Sequence, residues 1–340
     1  MPSTPSKIAD GLPNATEVLG DRFATTATED GKLWFVSRKF ANQPSISYFT
    51  ETPLQGGNLV FFDTQTKKWS EPAPFAPISQ EELLEGDVFG YKNHLLLVTY
   101  QRSKEFSFRD FYEWRDSEWQ KVGHIDADEK VKFACGDHTT VKRVADSAGN
   151  VYFVAERGHG LNVYKFQLSD DGKKGAVTLL QNIDNAFPPT ALGAHVVQLA
   201  VDGHDLYALY GQQGCGFYWE PTQPLKIDLR DGKVDRLQIG GGRQEPGSTP
   251  PWAFSGARAS HLLPPSHWFF LGGCRARGMS STEDDQSIWI LDLENKNWER
   301  FEAYDLPTGA HFVGAIGDGK QTPAKLYAAN GGVFEIEARV

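Results

Sequence analysis

Six times along the chain a glycine is followed by a small or acidic residue, and then by a third position that is most often His or Arg. The copies are Gly20-Asp21-Arg22, Gly86-Asp87-Val88, Gly136-Asp137-His138, Gly193-Ala194-His195, Gly256-Ala257-Arg258 and Gly309-Ala310-His311, at intervals of 50–66 residues. Repetition on that scale marks a solenoid or a propeller. One such unit cannot bury its apolar face alone and must stack on its neighbours.

A second register supports the first. A compact apolar run follows each phrase: Leu33–Val36, Leu95–Tyr100, Val151–Ala155, Leu206–Tyr210, Trp268–Leu271 and Leu326–Ala329. Short β-branched and aromatic runs bounded by Gly, Asp and Asn read as strands. A third set reads as strands of period two: Asn58–Asp63, Arg109–Trp114, Leu161–Leu168, Pro224–Leu229, Ser287–Leu293 and Val333–Glu337. Trp69, Trp119, Val177–Leu180, Leu237 and Trp298 mark a fourth. The three tryptophans are therefore expected at equivalent outer-strand positions.

The sixth unit reaches Val340 just after its third strand. An N-terminal segment, Ala15–Leu19 within 12–19, is expected to supply the missing strand and close the ring, which removes exposed sheet edges. The expectation is all-β: a single six-bladed propeller domain over 1–340. Its blades fall near 21–75, 84–126, 132–184, 190–240, 252–304 and 308–340 plus 12–19. The best helix signal is one short turn over Ser79–Glu85, where Glu82 stands three residues after a capping serine.

The stretch Gly256–Phe301 carries Arg258 and His261, then Trp268-Phe269-Phe270-Leu271-Gly272-Gly273, then Ile288-Trp289-Ile290-Leu291-Asp292, then Asn297-Trp298. Phe61 to Trp69 repeats the later part, and Gly331-Gly332 is a fainter copy. This pattern resembles a kelch repeat. The resemblance implies a kelch-like propeller and no particular activity, because such propellers serve as partner-binding scaffolds and also as enzymes.

The formal net charge is −10. That argues against general nucleic-acid binding, which needs a basic face to displace counterions. Three scattered cysteines, without a Cys-x-x-Cys pair, fit a reduced compartment, cytoplasmic or nuclear. No apolar run is long enough for a membrane span, and no secretory h-region opens the chain. No motif calls for a cofactor. A monomer is the expected state.

In a blade, the start of the first strand and the end of the second fall on the same side. The glycine phrases would therefore be ringed by segments carrying Arg38, Arg102, Arg157, Arg275 and Arg277. With Arg22 and Arg258 these form the expected ligand-binding set, because guanidinium groups grip carboxylate or phosphate in bidentate fashion. His138, His195 and His311 are the candidates for acid/base chemistry, their ordinary pKa lying near neutrality. No metal is assigned to them, since neighbouring Arg would oppose a cation. Two readings stay open. One is a binding module for an acidic protein, an acidic peptide or a small anion. The other is an enzyme acting on an anionic small molecule. A bland reading stands beside both, in which these polar groups are struts between blades.

Overall fold

The computed structural model describes residues 2–19, 23–37, 56–79, 84–102, 105–124, 133–134, 141–146, 149–157, 160–169, 174–187, 195–213, 219–221, 224–239, 260–263, 266–276, 282–301, 306–307, 310–317 and 323–338. Two compact units make up the chain. A terminal unit comprises Met1–Gly11, Val144–Ala148 and Ile183–Val340, and an internal unit comprises Leu12–Arg143 and Gly149–Asn182. Among the described residues regular structure is β apart from one five-residue helix, and it forms six antiparallel sheets, the blades of a β-propeller. Among them, too, no helix is long and apolar enough to cross a membrane.

The chain opens with strand β1 (Ser6–Asp10) and helix α1 (Ala15–Leu19). Blade 1 is β2 (Phe23–Ala27), β3 (Lys32–Ser37), β4 (Gly57–Asp63) and β5 (Lys68–Trp69), with β6 (Ala73–Phe75) also on β4. Blade 2 is β7 (Leu84–Tyr91), β8 (His94–Arg102), β9 (Glu105–Arg115) and β10 (Glu118–His124), with β11 (Phe133–Ala134) on β9. Blade 3 is β12 (Val141–Ala145), β13 (Val151–Arg157), β14 (Gly160–Leu168) and β15 (Gly175–Ile183). The apolar runs of the sequence are the second strands β3, β8 and β13.

In the terminal unit, blade 4 is β16 (His195–Asp202), β17 (Asp205–Gln213), β19 (Leu225–Asp228) and β20 (Val234–Arg236), with β18 (Trp219–Pro221) on β17. Blade 5 is β21 (Ser260–Leu263), β22 (His267–Ala276), β23 (Thr282–Asp292) and β24 (Asn297–Phe301). Blade 6 is β25 (His311–Ile316), β26 (Ala324–Ala329) and β27 (Gly332–Ala338), with β1 as its fourth strand.

That fourth strand corrects the expected one. Ser6 to Asp10 pair with Glu335 to Gly332, whereas Ala15–Leu19 coils into α1. The cause is local. Asn14 takes a φ of 55°, and its carbonyl accepts the amides of Glu17 and Val18. Asn58 Nδ2 then donates to the Val18 carbonyl at 2.8 Å, and Leu19 is buried. The short helix expected over Ser79–Glu85 is also corrected at its end, since Leu84 and Glu85 open β7; residues 80–83 lie outside the described set.

Apolar surface is buried between successive sheets rather than within one. Trp34, Val36, Leu59 and Phe75 of blade 1 cluster with Val88, Leu95 and Leu97 of blade 2. Blades 2 and 3 share Phe89, Phe108, Phe111, Phe153, Tyr164 and Phe166, with Phe89 edge-on to Phe166 at 5.6 Å. Separate clusters join blade 4 to blade 5 and blade 5 to blade 6. Trp69, Trp119 and Trp298 are each the second residue of a fourth strand and half-buried. Trp119 reaches Phe75 of the neighbouring blade, 6.3 Å between ring centres.

The turns that lead into the fourth strands repeat a device. Asp63 Oδ1 accepts the amides of Gln65 and Thr66, and Asp292 Oδ1 those of Glu294 and Asn295. Four residues after each aspartate, Lys67 and Lys296 take positive φ of 56° and 55°. The Thr66 amide foremost holds the Asp63 carboxyl below its ordinary range.

First strands meet from blade to blade. The Gly90 amide on β7 donates to Thr26 Oγ1 on β2 at 2.8 Å, and the Glu29 amide donates to the Lys92 carbonyl at 2.9 Å. Partner numbers rise together, so β2 and β7 run side by side in the same direction. A Cβ on Gly90 would collide with the Ala27 carbonyl.

Two outcomes are expected. Gly90→Ala should lower the stability of the full chain by about 1–3 kcal/mol, the usual cost of overpacking, as read by urea denaturation. Removing residues 1–11 strips β1 from blade 6 and bares the edge of β27. The thermal midpoint should then fall by roughly 5 °C or more, with increased aggregation visible by light scattering.

Candidate functional site

Antiparallel pairing fixes which residues share an end of each sheet. The start of the first strand stands opposite the end of the second: Phe23 with Ser37, Leu84 with Gln101, His195 with Gly211, His311 with Ala329. This end of a sheet is termed its leading end.

Five of the ten residues singled out in the sequence have a described backbone, and all five stand at leading ends. Arg102 closes β8 opposite Phe106, and Arg157 closes β13 opposite Gly160. His195 opens β16 and His311 opens β25. Arg275, next to last on β22, is opposite Glu283. The other five, Arg22, Arg38, His138, Arg258 and Arg277, lie outside the described residues. In the terminal unit, β21 packs against both β16 and β25, so the strands that begin with His195 and His311 flank the same neighbour.

The pairing also reveals counter-charges that the sequence reading missed. Glu283, Asp284 and Asp285 oppose Arg275, Cys274 and Gly273. Opposite charges directly across a ladder favour each other, so Arg275 enters the fold with an acidic cross-strand neighbour. The acidic run is plain in the sequence. Its register is set by the hairpin and by a bulge, which no local pattern discloses.

Bulges cluster at these ends. The register shifts between Val98 and Tyr100 on β8, Leu271 and Gly273 on β22, Val196 and Gln198 on β16, and Phe312 and Gly314 on β25. Each lies within a few residues of Arg102, Arg275, His195 or His311. In blade 2 the fully buried Thr99 occupies the shift, its hydroxyl donating to the Asp110 carbonyl and accepting the Asp110 amide, both at 3.0 Å. Such irregularities re-aim the chain and are enriched beside functional sites.

Unmet polar groups separate the two ends of the sheets further. Among the described residues, four buried side-chain atoms lack a hydrogen-bond partner: Trp119 Nε1, Trp268 Nε1, Asn162 Oδ1 and Ser260 Oγ. The two indoles are at trailing ends. Asn162, near the start of β14, is at a leading end, whereas Ser260 stands opposite Phe270 in the interior of β22.

Not every residue of the glycine phrases is free for a ligand. In blade 2 the phrase lies inside β7 rather than before it. Its Asp87 accepts a 2.8 Å hydrogen bond from Arg143 Nε on β12, whose guanidinium also covers the Phe89 ring at 5.5 Å. Here the phrase joins blades 2 and 3.

His261 on β21 lies outside the cationic set for a different reason. Leu262 packs into the core between blades 4 and 5, and Leu263 into the core between blades 5 and 6. Alternation puts His261 on the Leu263 face. Burial pushes its imidazole down to about 4, so it is neutral at pH 7 and cannot serve as a counter-ion. Among the described residues no group of three or more His, Cys, Asp or Glu side chains is arranged to hold a metal ion.

The His261 environment yields a pH test. A histidine with a depressed folded pKa supports the fold above its unfolded value, and that support drains as pH falls toward the folded value. Here the window runs from the ordinary 6.5 down to about 4. Stability should fall by up to about 3 kcal/mol across it. His261→Leu should flatten this part of the profile in denaturation curves at pH 7, 5.5 and 4.5.

No family model matches the chain, and no curated protein sequence matches it. Solved structures do. A protein of unknown function from Dyadobacter fermentans aligns with a TM-score of 0.47 and 13% identity, over 99% of this chain and 100% of its own. YjhT aligns at 0.44 and 10%, over 92% and 93%. A Bacteroides ovatus protein described as xyloglucan PUL GH43B aligns at 0.41 and 9%, over 91% of this chain and 60% of its own. No residue of the candidate site is carried over from any of them.

Proposed function

We propose that this chain is a binding module of kelch-like blades that takes up an acidic peptide, an acidic protein surface or a small anion at the leading ends of its sheets. The observation that carries the reading is the shared placement of Arg102, Arg157, His195, Arg275 and His311 at those ends. Bulges at the same ends, and the unmet Asn162 Oδ1 at one of them, support it. Arg22, Arg38, Arg258 and Arg277 belong to the proposed set by their positions in the repeat. The kelch-like element rests on Gly256–Phe301, whose Trp268–Gly273 and Ile288–Asp292 runs coincide with β22 and β23. Cationic residues at the leading ends within each unit, on a chain of net charge −10, would concentrate anions against the long-range field. Arg157, which ends β13 opposite Gly160, is the leading contact; Arg275, paired in register with Glu283, is a weaker one. The three scattered cysteines fit work in a reduced compartment, cytoplasmic or nuclear.

A second reading keeps the same ends and adds chemistry. His138, His195 and His311 would serve as acid or base, with arginine clamping an anionic substrate. The opening of β16 and β25 by histidine favours it.

Calorimetric titration of the full chain with inorganic phosphate and with a short oligoglutamate separates these ideas from scaffolding. Binding should weaken steeply as salt rises from about 30 to about 300 mM. Arg157→Glu should reduce affinity by about tenfold or more while leaving the circular dichroism spectrum unchanged. Salt-independent binding, or binding that survives Arg157→Glu, would overturn the proposal.

A further inference from the structure

We propose that β15, the outer strand of blade 3, is an interface for a second copy of this chain. The two β15 strands would pair antiparallel across a two-fold axis and join two blades into one continuous sheet. The result is a weak, reversible dimer in place of the monomer expected from the sequence. Its formation uses none of the arginines or histidines of the leading ends.

An outer strand leaves a row of N–H and C=O groups unpaired, and soluble proteins blunt such edges with charge, proline, bulges or brevity. Five blades do so. β5 has two residues, one of them Lys68, and β6 beside it carries Pro74. β10 carries Glu118 and Lys121, with a bulge between Lys121 and Gly123. β20 has three residues, including Asp235 and Arg236. β24 carries Glu299 and Arg300. β1 carries Lys7 and Asp10, with a bulge between Lys7 and Ala9. Blade 3 is the exception. β15 runs nine residues without a charge or a proline. It ends its sheet, and among the described residues no strand pairs with its far side.

The strand is anchored from within its own blade pair. A Cβ on Gly175 would come within 2.6 Å of the Phe111 ring of blade 2. Val177 is buried in the core between blades 2 and 3, and Leu179 packs against that core. Alternation turns Ala176, Thr178, Leu180 and Asn182 to the opposite face. There Ala176, Thr178 and Asn182 are exposed and Leu180 is half-buried.

The strand is complementary to itself. One antiparallel register pairs all nine residues, and it puts Leu179 on the axis. Gly175 then faces Ile183, Ala176 faces Asn182, Val177 faces Gln181, and Thr178 faces Leu180. Small residues at the start of one strand meet larger ones at the end of the other. The flanking residues continue the match, since Lys174 of one copy stands toward Asp184 of the other, twice over. Exposed pairs of this kind fix register more than affinity. A two-fold contact closes on itself and stops at two copies. A single strand pair is at the small end of specific interfaces, so the dissociation constant should be on the order of 10 µM or weaker. Each copy carries a net charge of −10, which opposes the encounter. Salt should therefore tighten the dimer by screening that repulsion.

Sedimentation velocity of the full chain tests this, from about 2 to about 200 µM protein and at about 30 and about 300 mM salt. Wild type should pass from monomer to dimer with concentration, more readily at the higher salt. Thr178→Lys combined with Leu180→Lys sets lysine opposite lysine. It should weaken the dimer by about tenfold or more, with the circular dichroism spectrum unchanged. Thr178→Glu combined with Leu180→Lys sets glutamate opposite lysine in the same register, and should restore the dimer. Thr178→Lys alone is the milder second variant and should weaken the dimer less. A wild type that stays monomeric, a dimer that loosens with salt, or one that survives the double-lysine variant would overturn the proposal. So would failure of the glutamate–lysine variant to restore it, or association that runs past two copies. Loss of folding in all three variants would mean that this face is packed within the chain, and the proposal fails.

Discussion

Everything at the candidate site depends on how closely the first strands of neighbouring blades approach. Between blades 1 and 2 the Gly90 amide is hydrogen-bonded to Thr26, and the absence of a side chain at Gly90 lets the Ala27 carbonyl come within contact. Strands packed this closely and running the same way hold blades 1 and 2 side by side. Within each unit, a position repeated at the start of the first strands recurs at the same place in successive blades. The six-fold phrase is therefore a geometric instruction before it is a chemical one.

The chain uses that geometry for two purposes. In blade 2 the phrase is structural, with Asp87 gripping Arg143. At the starts of β16 and β25 it presents histidine where the ladder slips out of register two residues later. Polar groups held between blades are normally satisfied. Asp87 and Thr99 obey that rule. Asn162 and Ser260 do not; Asn162 stands at a leading end, and Ser260 opposite the interior of β22. Unmet polar groups elsewhere in the described residues are the indole nitrogens of tryptophans, whose large apolar rings are what the core retains.

Much of the fold was legible because a blade writes itself in the sequence. Its second strand is buried on both faces and reads as an unbroken apolar run. In blades 1, 2 and 5 its fourth carries a tryptophan as second residue, in blades 1 and 5 after an aspartate-led turn. Both signals are local. What failed to show was set by distant partners. Ser6–Asp10 has little apolar character and becomes a strand only because β27 offers an open edge, while Asn14 turns the more strand-like Ala15–Leu19 into a helix. Glu283 was visible as an acid but not as the residue facing Arg275. Asn162 lay unnoticed inside a good strand pattern, since one amide among apolar neighbours is distinctive only once its hydrogen bonds are counted.

The central claim is that leading ends, and not trailing turns, receive an anion. Backbone amide shifts of isotope-labelled protein during a phosphate titration test it most directly. The account predicts saturable shifts at Gln101, Arg102, Arg157, Gly160 and Leu161, with the amides of the trailing turns at Gln65, Thr66, Glu294 and Asn295 unmoved. Shifts centred on those turns, or absent from the leading ends, would contradict it.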